Sequence, residues 1–272
     1  MRLTWLGWAG AELEADGATV VIDPLADPAA VFAGLGGDAA DAPLPEVVPA
    51  GEGRAVAGLV SHLHRDHADA GALTAALAPG APVLEPPRGG GEGLEELGLA
   101  QAEHQLAASG LERRRLEAWE STTAGPFTLT ALPAVDGTGD PQVAWLVEAG
   151  GARVLHLGDT MFHGYWWRMA LRHGPFDVVL VPVNGAVLGF PHRRPPSPLP
   201  AALDPEQAAL AAEILGARLA IPIHSEGYEV AGVYEPVAGA AERFAEAAAA
   251  RGVSARVLEP GESVDVLAAA PA

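Results

Sequence analysis

The sequence predicts an α/β fold in which two sheets pack face to face with helices outside, and three observations point there. Apolar runs of strand length alternate with helical segments along the whole chain instead of collecting in separate halves. Hydrophobic residues make up 49% of the sequence and charged residues only 19%, enough apolar surface for a sizeable core. Neither an internal repeat nor a linker-like stretch divides the 272 residues. One domain is therefore expected over 1–267, followed by a frayed Ala-rich tail at 268–272.

In chain order, Leu3 to Leu6 and Ala11 to Glu14 read as a hairpin, and Asp16-Gly17 supplies the turn into a third strand, Ala18 to Ile22. Residues 24–53, rich in Pro, Gly, Ala and Asp, read as a long loop. Val56 to Val60 is a short buried strand ending at Ser61, and Ala70 to Leu77 is a helix stopped by Pro79-Gly80. Pro82 to Leu84 is a candidate strand, whereas residues 88–120 mix Gly-rich and acidic text and predict no definite element. Phe127 to Ala134, Val143 to Glu148 and Arg153 to Leu157 read as strands, Phe162 to Arg172 as a helix, and Asp177 to Val183 as a strand buried on both faces. After a Pro-rich loop from Pro191 to Pro200, Asp204-Pro205-Glu206-Gln207 starts a helix with Asp as cap and Pro first, and Gly216 ends it. Leu219 to Ile223 is a strand running into His224, and Pro236 to Arg251 is an Ala-rich helix. Val253 to Leu258 and Ser263 to Leu267 close the chain as short strands.

Composition removes several chemistries. Without cysteine there is no disulfide, no thiolate metal site and no thiol nucleophile. All 16 basic residues are arginine, so lysine Schiff bases and the lysine-dependent phosphate loop are excluded too. A net charge of −19 argues against a nucleic acid partner and against an anionic membrane surface. It leaves open a small anionic substrate held by local arginines. No apolar run approaches the roughly 20 residues of a membrane span. The opening Met1 to Gly7 is no secretory signal, because Glu12, Glu14 and Asp16 follow its short apolar stretch. A cytoplasmic protein acting on a small molecule is expected; oligomeric state is not legible.

The chemistry centres on Ser61-His62-Leu63-His64-Arg65-Asp66-His67, where four potential ligands fall within six residues at the end of an apolar strand. In extended chain His62 and His64 point the same way, and Asp66 and His67 follow as the chain turns. Imidazoles with carboxylates suit divalent Zn, Mn or Fe. A polar turn with solvated histidines is the bland alternative, but it does not explain three of nine histidines in six positions. Asp136, Asp159 and His224 each follow a strand, where catalytic groups of α/β folds collect; taken singly, each could also cap a turn or finish a strand.

Residues 62–67 resemble the H-x-H-x-D-H motif of the metallo-β-lactamase superfamily. Asp23, Asp136, Gly158-Asp159-Thr160 and His224 follow in that family's order. The opening Thr4-Trp5-Leu6-Gly7-Trp8-Ala9-Gly10 resembles the branch of L-ascorbate-6-phosphate lactonases and N-acyl-phosphatidylethanolamine phospholipase D. The resemblance covers most of the chain and is weakest over 24–53 and 88–120. It implies a four-layer αββα sandwich with two adjacent divalent metal ions. His62 and His64 would hold the first and Asp66, His67 and His224 the second, with Asp159 bridging. A metal-bound hydroxide, oriented by Asp66, would cleave a lactone, ester, amide or phosphodiester. Asp23 would brace the histidine loop without touching metal.

Two positions depart from the family pattern. Asp136 stands where a third histidine is usual, either as a harder ligand favouring Mn or Fe or as the cap of the turn Asp136-Gly137-Thr138-Gly139. Trp8 stands where the branch often has histidine, a change expected in the pocket wall. Of the remaining candidates, His163, Tyr165, Trp166, Trp167 and Arg168 read first as an amphipathic helix burying its aromatics and second as a pocket lining. Asn184, His192, Arg193 and Arg194 are candidate substrate contacts or simply a solvated loop, and His104 and His173 show no pattern. Two competing functions stay open: a metal-binding or regulatory protein without turnover, and a nuclease.

Overall fold

A computed structural model describes residues 1–32, 42–89, 97–225 and 227–269. In chain order the elements are β1 (Arg2–Gly7), β2 (Gly10–Ala15), β3 (Ala18–Ile22), α1 (Pro28–Phe32), β4 (Ala55–Leu59), α2 (Ala70–Ala76), β5 (Val83–Glu85), α3 (Leu97–Ala108), β6 (Arg113–Arg115), β7 (Ser121–Ala124) and β8 (Phe127–Pro133). They continue with β9 (Val143–Ala149), β10 (Ala152–His156), α4 (Trp166–His173), β11 (Phe176–Pro182), β12 (Val187–Leu188), α5 (Pro205–Leu215), β13 (Ala217–Ile223), β14 (Tyr234–Glu235), α6 (Ala240–Ala250), β15 (Ser263–Asp265) and α7 (Val266–Ala269).

One sheet has the order β15-β1-β2-β3-β4-β5-β6, a second β13-β11-β10-β9-β8-β7, and β12 pairs with β14 in a small third. The four-layer αββα arrangement follows from strand alternation. Val143, Trp145 and Val147 of β9, and Val178 and Leu180 of β11, pack toward the first sheet with Leu13, Val20 and Leu59. Their neighbours Ala144, Leu146, Val179 and Val181 face the other way, under Trp166, Met169, Ala208, Ala212 and Phe244 of α4, α5 and α6. On the far side of the first sheet, Val21, Ala55 and Val83 pack under Leu73 of α2 and Leu106 of α3.

Most predicted elements are present, and the caps account for several boundaries. Asp16 and Gly17 both have positive φ, 49° and 79°, the geometry a two-residue Asp-Gly hairpin turn requires. Asp204 and Gln207 form a capping box on α5, and Gly216 closes it in the left-handed region. Four expectations need correction. Val253 to Leu258 is no strand: it touches the sheet at one bridge, Ala255 to Ala220, held by hydrogen bonds through Ser254 and Arg256. After β15 the chain turns helical at Val266, because Asp265 Oδ1 accepts from the N–H groups of Leu267 and Ala268. The fourth helix starts at Trp166 rather than Phe162, and the sixth starts at Ala240 after Gly239, φ 62°. Residues 97–115, without a definite element in sequence, form α3 and β6, while α1 lies inside the expected long loop. Of the expected frayed tail, 268 and 269 end α7 and 270–272 lie outside the described residues. No helix among the described residues is long and apolar enough to cross a membrane.

Strand direction brings the candidate ligands together. β3 and β4 are parallel in the first sheet, and β8, β10 and β13 run the same way in the second. Asp23, Ser61, Asp136, Asp159 and His224 therefore all follow C-terminal strand ends on one edge of the sandwich. Trp145 Nε1 donates to Val60 O at 3.0 Å and Val143 N to Ser61 O at 2.9 Å, stitching the two sheets there.

Candidate metal centre

The histidine loop is built on Asp23. Wholly buried with φ 43°, Asp23 accepts from Ser61 N at 2.7 Å and Ser61 Oγ at 2.5 Å, and lies 2.8 Å from His67 Nδ1. Ser61 Oγ is 3.0 Å from His62 Nδ1. With both Nδ1 atoms turned back toward the Asp23–Ser61 pair, His62 and His67 present Nε2 forward. This is the bracing role that the family resemblance implied.

Two groupings result. His62, His64, Asp136 and Asp159 place one ligand atom each within 4.8 Å of one another, and Asp66, His67 and His224 do the same. In the first, His62 Nε2 lies 2.8 Å from His64 Nδ1, while His64 Nε2 lies 2.9 Å from Asp140 Oδ2. A proton on Nε2, given to Asp140, leaves the Nδ1 lone pair facing the grouping. Asp136 Oδ2 accepts from Thr138 N, Thr138 Oγ1 and Asp140 N, so this carboxylate caps its turn and also stands among the ligands. Asp159 lies between the groupings, Oδ1 3.9 Å from His62 Nε2 and Oδ2 3.8 Å from His224 Nε2.

The second grouping is held from behind. His224, φ 53°, follows β13; its N–H donates to Trp8 O at 3.0 Å and its ring packs 3.8 Å from the Trp8 ring. The Asn184 amide lies 2.7 Å from His224 Nδ1 and donates to Tyr234 Oη at 2.7 Å. Trp8 Nε1 donates to Asp66 Oδ2 at 2.9 Å, and that oxygen is 3.5 Å from both His67 Nε2 and His224 Nε2. Trp8, Asp23 and His224 all carry positive φ without being glycine. Such conformations are sparsely populated and persist where surrounding contacts over-determine them.

These side chains fit a bound cation. His67 Nε2, His224 Nε2 and Asp159 Oδ1 are buried without a hydrogen-bond partner, and each such atom costs about 1–3 kcal/mol if nothing occupies it. The electrostatics agree. Burial, with Asp136 and Asp66 close by, pushes the Asp159 carboxyl up to about 8. Burial opposes charge on His64 and His67, yet Asp140 and Asp136 lift His64 to about 9, and Asp66 and Asp23 lift His67 to about 9. Burial drives His62 below its usual range and His224 down to about 4. Against burial, His67 and His224 hold Asp66 well below the carboxylate range. A divalent cation would supply the positive charge that these groups otherwise draw from protons.

In front lies a cavity of about 460 Å³ whose lining includes His64, Asp66, Asp136, Asp159, His224 and Tyr234. Of the sequence candidates, His192 and Arg193 line it. Trp166 is buried under the second sheet and Trp167 is exposed, as an amphipathic helix predicts. Asn184 touches His224, Arg194 donates to Pro191 O, and Trp8 backs the ligands rather than forming the wall. Sequence reasoning missed Asp140 and the role of Ser61. For Asp140 the only signal is a second Asp four residues after Asp136 in a Gly-rich turn.

A model described as "Beta-lactamase superfamily domain" matches residues 18–225. A metal-dependent hydrolase of Methanopyrus kandleri is 27% identical over 97% of this chain and 100% of its own length. One from Opitutus terrae is 30% identical over 76% of this chain and 80% of its own. Among solved structures, a possible metal-dependent hydrolase from Veillonella parvula covers 97% of this chain and 98% of its own, with TM-score 0.70 and 17% identity. CmlA, a diiron β-hydroxylase from Streptomyces venezuelae, gives TM-score 0.70 at 15% identity over 97% of this chain and 53% of its own. At these identities the solved structures speak for the fold alone, and the family match speaks for descent: the chain belongs to the metallo-β-lactamase superfamily.

Proposed function

We propose that this metal-dependent hydrolase works with two divalent ions on a small molecule. His62, His64 and Asp136 would hold one ion, Asp66, His67 and His224 the other, with Asp159 shared. The observation that carries this reading is the set of three buried, unpartnered atoms on His67, His224 and Asp159, flanked by the two ligand groupings. The imidazole-rich donor set favours Zn, while the carboxylates of the first grouping also admit Mn or Fe. When bound, such ions supply Lewis acidity and make water a nucleophile near neutral pH.

The chain's own residues orient and exclude. Asp66 stays ionised, is fixed by Trp8 and lines the cavity, so it is the group placed to orient water. A cavity of about 460 Å³ admits a lactone, ester, amide or phosphodiester of modest size. A nuclease remains disfavoured by the charge of −19. The reading without turnover drew on Asp136 replacing histidine; the carboxylate's position beside His62, His64 and Asp159 counts against it.

Protein loaded with Zn or Mn and freed of excess should carry about two ions per chain by elemental analysis. Asp66→Asn should keep the fold and lose most hydrolysis of a generic lactone or phosphodiester. Metal content near zero after loading defeats the reading.

A further inference from the structure

Two arginines, Arg65 and Arg193, line the cavity in front of the ligand groupings. Both are moored by backbone carbonyls. Arg65 Nη1 and Nη2 donate to Val31 O at 3.3 Å and Ala30 O at 3.0 Å, and Arg193 Nη1 donates to Thr138 O at 2.7 Å. A carbonyl oxygen positions a guanidinium without cancelling its charge. Elsewhere Arg113, Arg115, Arg153 and Arg218 each find a carboxylate within 3.1 Å, as expected where 35 acidic residues face 16 basic ones. Among the described residues, Arg65 and Arg193 have no such ion pair. Exposed arginines, Arg2, Arg114, Arg168, Arg172 and Arg194 among them, share that lack, but Arg65 and Arg193 line the cavity. Arg193 acts on Asp140 only through its field, one of the influences lowering that carboxyl.

The charge balance of the cavity follows. Asp66, Asp136, Asp140 and Asp159 line it, and Asp23 lies behind. Two divalent ions would offset the four lining carboxylates, and the hydroxide that the two-metal reading needs would offset one arginine. With Asp23 engaged by Ser61 and His67 behind the lining, one positive charge is left over among the groups that face the cavity, where an uncompensated charge is costly. Phe32, Ala186, Leu188 and Phe190 supply the apolar wall.

We propose that this cavity selects small substrates that carry an anionic oxyacid group, carboxylate or phosphate, apart from the bond to be cleaved, with Arg193 and Arg65 setting that preference. The proposal rests on the two-metal reading above.

The test titrates glutarate and its monoamide, glutaramate, into the metal-loaded protein by calorimetry, with metal content measured on the same samples. One carboxylate of either probe can approach the ions, so their difference reads the second group. Glutarate should bind about tenfold tighter, the size of one charge-assisted hydrogen bond and more than its twofold symmetry advantage. Arg193→Gln and Arg65→Gln should each reduce that preference, and Arg193→Lys should keep most of it, since it keeps the charge. With two ions bound, equal affinities, including failure of both probes at millimolar concentration, overturn the proposal. So does a preference untouched in both glutamine variants. Less than one ion per chain after loading sinks the two-metal reading, and the proposal with it.

Discussion

Asp140 shows how much one uncharted carboxylate can govern. It faces His64 Nε2 at 2.9 Å and so decides which imidazole nitrogen turns its lone pair toward the site that His64 shares with His62, Asp136 and Asp159. Asp140→Ala should weaken the first ion by about 10–100-fold, the usual loss when a ligand's supporting group is removed. Asp140→Asn, whose carbonyl can still accept a hydrogen bond from His64 Nε2, should lose less. Chelator competition measures both; equal affinities for wild type and Asp140→Ala would remove Asp140 from the site. Asp136 needs a different pair of variants, because Oδ2 caps the 136–140 turn while the carboxylate also faces the first grouping. Asp136→Asn retains an accepting oxygen and removes the charge. It should empty or weaken the first ion, leave the second in place and cost little stability. Asp136→Ala should add a loss of about 1 kcal/mol from the missing cap. Two full sites in Asp136→Asn would reduce this residue to a turn cap. Sequence spacing gave away the ligands within residues 62–67 because they are neighbours in an extended chain. It could not give Asp140, 76 residues from His64, or the hold of Asn184 on His224 across 40 residues.

At the scale of elements, the centre depends on how closely two strand ends approach. Gly158 lies between β10 and Asp159 with φ 65°, and a Cβ there would stand 2.5 Å from Gln142 Nε2 and 2.9 Å from Ser61 Cβ. Gly158→Ala therefore forces apart the loop carrying Asp159 and the loop carrying His62. It also holds alanine in a left-handed conformation that costs about 1–2 kcal/mol by itself. Loss of thermal stability together with weakened binding of both ions is expected, since Asp159 lies between the groupings. Calorimetric unfolding and metal titration of Gly158→Ala would show otherwise if only stability fell. The same scale explains where elements were legible. The capping box at Asp204 and the Asp-Gly turn at 16–17 are complete within four residues, so local chemistry announces them. Residues 253–258 have the apolar pattern of a strand but meet the sheet at a single bridge. Helix α3 lies in text with a weak apolar stripe and owes its place to packing on Leu73.

Across the whole molecule, metal binding and folding are coupled through protons. In the metal-free protein His64 and His67 are raised to about 9 and Asp159 to about 8, so above neutrality the fold binds protons that the unfolded chain releases. A raised pKa gives stability that is present below the unfolded value and lost as pH climbs through the folded one. For the two histidines that loss runs from about 6.5 to about 9, and for Asp159 it is complete just above 8. The lowered groups, His62, His156, His163, His173, His224 and Asp66, have opposite sign; the unfolded histidines are still half-protonated at about 6.5, so the raised groups dominate only above about pH 7. Between about pH 7 and 9 the metal-free protein should therefore lose stability. Over the same interval ions compete with fewer protons for these side chains and bind more tightly. The gain in melting temperature on metal loading should grow steadily from about pH 7 to 8.5. Scanning calorimetry of chelator-treated and Zn-loaded or Mn-loaded protein at three pH values in that range measures it directly. A gain that is flat or shrinks with rising pH would mean that His64, His67 and Asp159 are not the groups that exchange protons for metal.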